Sequence, residues 1–127
     1  MSIRFAPKQG PIIVPVRMWG LGGSGILRFV LDTGATESMA NAAPLMTLGY
    51  DPALSPDRVQ VTTVSGVEFA PRVVIERIVA LDNDRTDFPM LCHTLPPSAG
   101  VDGILGLDFM RGQSLHVDFR AGEITLS

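Results

Sequence analysis

Glycine and proline punctuate this chain at close intervals, and nothing else limits its possible folds so strongly. The 13 glycines and 10 prolines among 127 residues are spread along the whole length, so its apolar runs stay short. Short β-rich runs bounded by turn residues build strands and hairpins and leave little room for long helices. Hydrophobic residues make up 46% and charged residues 18%, a globular balance that argues against disorder. The length fits one domain spanning 1–127, large enough to bury a core without disulfides. Cys92 is the single cysteine, which rules out an internal disulfide and a cysteine-rich metal site. A net charge of −3 without a basic cluster makes nucleic acid a poor partner.

Read along the chain, Pro11 to Trp19 predicts a first strand, with Pro15 at an edge or bulge. Gly20 to Gly25 predicts a mobile turn, and Ile26 to Leu31 a second strand. Ser38 to Leu48 is rich in Ala, Leu and Met and predicts a short helix with Pro44 in its first turn. Tyr50 to Asp57 reads as loop. Val59 to Val64 and Val67 to Leu81 form a second hairpin about Ser65-Gly66, with a bend at Pro71. Asp82 to Asp87 reads as a polar turn, Phe88 to Leu95 as a strand, and Pro96 to Gly100 as a loop. Val101 to Leu105 is apolar, and Leu107 to Met110 predicts one helical turn closed by Gly112. Ser114 to Phe119 and Glu123 to Leu126 form a third hairpin. The result is a small all-β barrel or sandwich.

Residues 1–10 are expected to be a flexible lead-in. They contain Arg4, Lys8 and Gln9 and no long apolar run, so they do not resemble a secretory signal. No window carries the roughly 18 apolar residues of a membrane helix. For the chain as given the expectation is a cytoplasmic location, or a periplasmic or membrane-tethered one if it is a fragment.

Two segments bear on chemistry, and a third only mimics it. Gly20, Gly22 and Gly25 match the dinucleotide pattern G-x-G-x-x-G, but a β-rich run follows where a phosphate-holding helix is required. The first informative segment is Phe29 to Thr36, an apolar strand ending in Asp32-Thr33-Gly34-Ala35. Aspartate is rarely buried unless paired or used. Gly34 frees the backbone to turn, and the Thr33 hydroxyl can lock that turn. An ordinary Asp-Gly strand end fits these residues equally well. The second segment, Val101 to Met110, is an apolar strand interrupted by Gly103 and Gly106, where another loop can pack directly on the backbone and be held rigid.

Together, Val30-Leu31-Asp32-Thr33-Gly34-Ala35, Thr63-Val64-Ser65-Gly66-Val67 and Ile104-Leu105-Gly106 resemble, in order and spacing, the retropepsin-like aspartic proteases. The likeness runs from about Pro11 to the end and is greatest to cellular and bacterial members, with Gly-Leu-Asp-Phe after the strand. Leu107 stands where retroviral enzymes usually carry arginine, so another bond, through Asp108, is expected to tie the site loop to the helix.

The resemblance implies a closed acid-protease barrel with one or two short helices, acting as an endopeptidase on peptides or unfolded proteins. The chain has no second Asp-Thr-Gly or Asp-Ser-Gly, so a homodimer is implied, with a two-fold axis between Asp32 and its copy. Asp32 would be catalytic. Thr33 would bond across the axis, Gly34 and Ala35 would line the floor, and Ser65, Gly66 and Val67 would form a flap tip over the substrate. No metal and no cofactor are required. The C-terminal hairpin, Ser114 to Ser127, is the expected contributor to the interface. A catalytically weak dimerisation or peptide-binding module is the competing reading, and the intact Asp-Thr-Gly speaks against it. His93 and His116 read as structural, Cys92 as a buried thiol, Trp19 as a core or dimer contact, and Asp118 and Glu123 as solvent-facing.

Overall fold

Two long hairpins frame the molecule, and both grow from alternating apolar sequence. In β2 (Ile13–Gly20), Val14, Val16 and Met18 are buried while Pro15 and Arg17 face out, the two-residue period of a half-buried strand. It pairs antiparallel with β3 (Gly23–Leu31), from Ile13 against Val30 to Gly20 against Gly23. A short β1 (Ile3–Arg4) precedes them. After β4 (Met39–Ala40), α1 (Ala42–Thr47) and a 3-10 turn at Pro52–Leu54 come β5 (Arg58–Thr63), β6 (Gly66–Ala80) and β7 (Asn83–Cys92). The chain closes with β8 (Gly103–Leu105), α2 (Leu107–Met110), β9 (Leu115–Asp118) and β10 (Glu123–Leu126). The computed structural model describes residues 2–8, 10–63, 65–95 and 100–127. Val64 of the expected flap, residues 96–99 of the expected 96–100 loop and residues 1 and 9 of the expected lead-in lie outside the described residues.

Six strands close into a barrel in the order β2-β3-β8-β4-β7-β6, and β6 returns to β2 through Val16 to Trp19 against Ala80 to Arg77. β3 and β8 run parallel, and β4 lies between β8 and β7. The all-β barrel with short helices therefore stands as expected. Phe29, Ile75, Ile78, Met90, Leu105 and Phe109 fill the core without solvent exposure. Phe109 from α2 meets Phe88 edge-on at 5.6 Å, so the helix is seated on the barrel by its aromatic ring. Among the described residues no helix is long and apolar enough to cross a membrane.

Several elements differ from expectation, each for a local reason. The Gly20 to Gly25 stretch is not a mobile turn. Only Leu21 and Gly22 turn, and the backbone packs on the end of α1, where the Gly22 N–H donates to the Leu48 carbonyl at 2.9 Å. A Cβ at Gly20 would lie 2.2 Å from that carbonyl oxygen, so glycine here serves close approach. The polar run 82–87 is mostly strand. A two-residue turn at Leu81 and Asp82, both at positive φ, lets Asn83 pair with Ala80. Met39 and Ala40, expected to be helical, are recruited as β4 between two strands.

The lead-in, expected to be flexible, carries β1, which pairs with β10, and the Phe5 N–H donates to the Gly122 carbonyl. The terminal strand β10 therefore has neighbours on both sides, β1 and β9. The open edges of this sheet are β9 and β1, which removes the unpaired-terminal-strand argument for the interface.

Candidate active site

β3 delivers Asp32 to the end of the barrel, and parallel pairing with β8 fixes where it ends. The Asp32 N–H donates to the Leu105 carbonyl at 3.0 Å, extending the β3–β8 ladder by one residue. The chain then turns. The Ala35 N–H returns to the Asp32 carbonyl at 3.2 Å, and the Gly34 N–H donates to Asp32 Oδ1 at 2.9 Å. Thr33 and Gly34 are exposed, while Asp32 and Ala35 are half-buried. The four residues expected at the centre of the site thus form one tight turn around a carboxylate.

A second layer holds that turn from beneath. The Leu107 N–H donates to the Ala35 carbonyl at 2.8 Å and the Asp108 N–H to the Thr36 carbonyl at 3.2 Å. Asp108 then accepts both from the Ser38 N–H at 2.9 Å and from the Ser38 hydroxyl at 2.6 Å. The hydroxyl oxygen accepts in turn from the Gly106 N–H at 2.9 Å. Ser38 is fully buried, the one polar side chain so placed among the described residues. A Cβ on Gly106 would fall 2.7 Å from the Ala35 carbonyl oxygen, so glycine is required for the two backbones to touch. The tie expected through Asp108 is present, and its partner, Ser38, was not legible as such.

Ser65, Gly66 and Val67 lie apart from this turn, at the outer end of the β5–β6 hairpin, where Thr63 pairs with Gly66. Gly66 has φ +131°, a backbone conformation that side-chain-bearing residues rarely adopt. Val67 and Phe69 expose 56% and 66% of their surface, which is high for apolar side chains on a barrel protein. Between the hairpin and the aspartate loop runs an open groove of about 430 Å³. Ala35, Glu37 and Met39 form one side, and Val59, Val61 and Leu91 are among the rest of its lining. The groove brings Ala35 and the first strand of the β5–β6 hairpin to one space. At the hairpin base Arg72 bonds Glu37 at 2.8 Å and Asp57 at 3.3 Å, connecting the site loop to β6. Among the described residues no cluster of three His, Cys, Asp or Glu is placed to hold a metal ion.

A family model for aspartyl proteases matches residues 14–109, from β2 through α2, and so takes in both site segments. The chain belongs to the aspartyl protease family. The protease also superposes on a solved structure described as a retropepsin-like aspartic protease from Rickettsia conorii, with a TM-score of 0.73 at 15% identity. That match covers 99% of this chain and 88% of the other. No curated protein matches the protease in sequence.

The remaining side chains of the protease take structural places. Cys92 is buried, and burial pushes its thiol up from its ordinary range. The Trp19 ring meets the guanidinium groups of Arg17 and Arg77, at 5.0 and 4.3 Å from the ring centre. Asp118 does more than face solvent. It accepts from the Ala121 and Arg120 N–H groups, both at 2.9 Å, and those bonds hold its carboxyl below the usual range.

Proposed function

We propose that this aspartyl protease is an endopeptidase that works as a homodimer, with Asp32 and its copy forming the catalytic pair. The single observation that carries this reading is the Asp32 turn, buried on one side by β8 and α2 and open on the other, in a chain with one such motif. Half-buried Asp32 beside exposed Thr33 and Gly34 is an active-site loop that lacks its opposing wall, and a two-fold copy supplies one.

In that dimer the two carboxylates share one proton, the established behaviour of aspartic-protease dyads. The ionised carboxylate takes a proton from a bound water as it attacks the scissile carbonyl carbon. The protonated one donates a hydrogen bond to the carbonyl oxygen, and the leaving nitrogen is then protonated. Thr33 of each copy would steady the other loop, and Gly34 and Ala35 would form the floor. An extended peptide in the groove would be held by main-chain bonds, with Val59, Val61 and Met39 favouring an apolar side chain.

Assembly is tested by dilution. Sedimentation at micromolar concentration should show dimer, and cleavage per chain should fall as the sample is diluted. Activity proportional to concentration down to a sample shown to be monomeric would sink the dimeric site.

The hairpin is tested at its tip. A β-branched residue at φ +131° is strained by about 1–3 kcal/mol. Gly66→Val should therefore lower kcat/KM on the order of tenfold while leaving the fold and the dimer intact. Full activity in that variant would remove Ser65, Gly66 and Val67 from the flap tip.

A further inference from the structure

β6 leaves the barrel at a defined point. Arg72 is its last residue paired with β7, through Leu91, and from Pro71 to Gly66 its ladder partner is β5. The gap that opens between the departing hairpin and the end of β7 is a cleft of about 340 Å³ lined by Glu68, Phe69, Ala70, Cys92, His93 and Thr94. Among the described residues one polar contact spans it: His93 Nε2 lies 3.0 Å from Glu68 Oε2.

The other ring nitrogen of His93, Nδ1, lies 3.1 Å from the Thr94 carbonyl oxygen. Both ring nitrogens thus face oxygens that only accept. A neutral imidazole carries one N–H and can satisfy one of them, whereas the imidazolium satisfies both. His93 is itself anchored, its N–H donating to the Ala40 carbonyl at 3.0 Å, so it is a fixed post on the barrel side. Among the described residues lining the cleft, Glu68 is the only charged group besides the His93 ring, the Ala40 carbonyl that holds the His93 backbone is uncharged, and the Cys92 thiol is held neutral by burial.

We infer that the Glu68–His93 pair is a protonation-dependent latch that holds the arm of the β5–β6 hairpin to the barrel when His93 is charged and releases it when His93 is neutral. His93 is then a positioning residue. Acid favours the charged form of an imidazole, so the latch engages on the same side of the pH scale as a shared-proton carboxylate pair. The functional meaning rests on the hairpin being a flap, as proposed above. The latch itself does not, and its test needs no peptidase activity.

The test is amide hydrogen exchange across residues 58–70 of the whole protein, corrected for intrinsic rates, at about pH 5.5 and about pH 7.5, either side of histidine titration. In the wild type, protection of this hairpin should fall about two- to fivefold at the higher pH, the worth of one partly exposed ion pair. Residues 115–126, which contain His116, should show no such change. Glu68→Ala should leave protection low at both values. Glu68→Gln should keep it high at both, because the amide N–H₂ can donate to Nε2 of a neutral ring whose Nδ1–H still donates to Thr94. Glu68 is exposed, so neither variant disturbs the core. A wild-type hairpin insensitive to pH, or the same pH response in Glu68→Ala, would overturn the latch. A latch that behaves as described in a protein that cleaves nothing would overturn only the peptidase reading.

Discussion

Asp32→Asn protein is expected to lose peptide cleavage by a factor on the order of 10²–10⁴ at every pH, because an amide can neither take the proton of the attacking water nor share one with its neighbour. In the proposed dimer both carboxylates are lost at once. The side chain is half-buried, and its Oδ1 accepts one local bond, from the Gly34 N–H, which an amide oxygen can also accept. Folding and assembly should therefore be retained, and their loss in the variant would leave the rate without meaning.

The wild type should show a bell-shaped profile with an acidic to mildly acidic optimum. Below it both carboxylates are protonated and no base remains; above it both are ionised and no acid remains. The two limbs belong to the pair and not to either residue. Because acid can also dissociate the proposed dimer, sedimentation across the same range separates the two causes of the low-pH limb. Substantial cleavage by purified Asp32→Asn protein, or loss of wild-type cleavage on adding EDTA, would overturn the mechanism.

The second large effect lies beneath the site. Asp108→Ala removes the acceptor for both the Ser38 N–H and the Ser38 hydroxyl, in a place where Ser38 has no solvent exposure. Each buried donor left unsatisfied costs about 1–3 kcal/mol, so the variant should lose about 2–6 kcal/mol of unfolding free energy, read from denaturant midpoints. The loop 35–38 should loosen as well, and kcat/KM should fall with it. Ser38→Ala combined with Asp108→Ala should cost less than the two single changes added together, since the second has less left to break. An Asp108→Ala protein within about 0.5 kcal/mol of wild type would mean the contact is incidental.

What could be read from the amino acids follows how local each cause is. Asp32-Thr33-Gly34 is readable because the strand, the acid and the turn residue are neighbours. Gly106 is readable because only a close backbone approach explains a glycine inside an apolar run, and the Ala35 carbonyl is indeed there. The identity of the clamp was half readable. Leu107 in place of arginine pointed to Asp108, but Ser38 lies 70 residues away and looked like the start of a helix. The 81–82 turn escaped because Leu81 and Asp82 carry no glycine or asparagine to mark positive φ. The Gly20 to Gly25 stretch is ambiguous in sequence because glycine signals equally a loose turn and a backbone pressed against another, and only the placement of Leu48 to Tyr50 separates the two. The Glu68–His93 contact joins residues 25 apart, one on β6 and the other just past the end of β7, and neither residue announces the other.

The continuity of β6 carries a mechanical consequence. Its 15 residues form a single rod, clamped at one end between β2 and β7 and free of the barrel ladder beyond Arg72. From Arg72 to Gly66 the projecting length is about 20 Å at roughly 3.3 Å per residue. A rotation of about 10° where the rod leaves its clamp would swing the tip through about 3.5 Å over that length. Arg72 sits at this fulcrum, with its guanidinium on Glu37 of the aspartate loop. Leverage of this kind makes the tip a magnifier: a displacement too small to disturb the core at the clamp would become a movement of several ångströms at the far end.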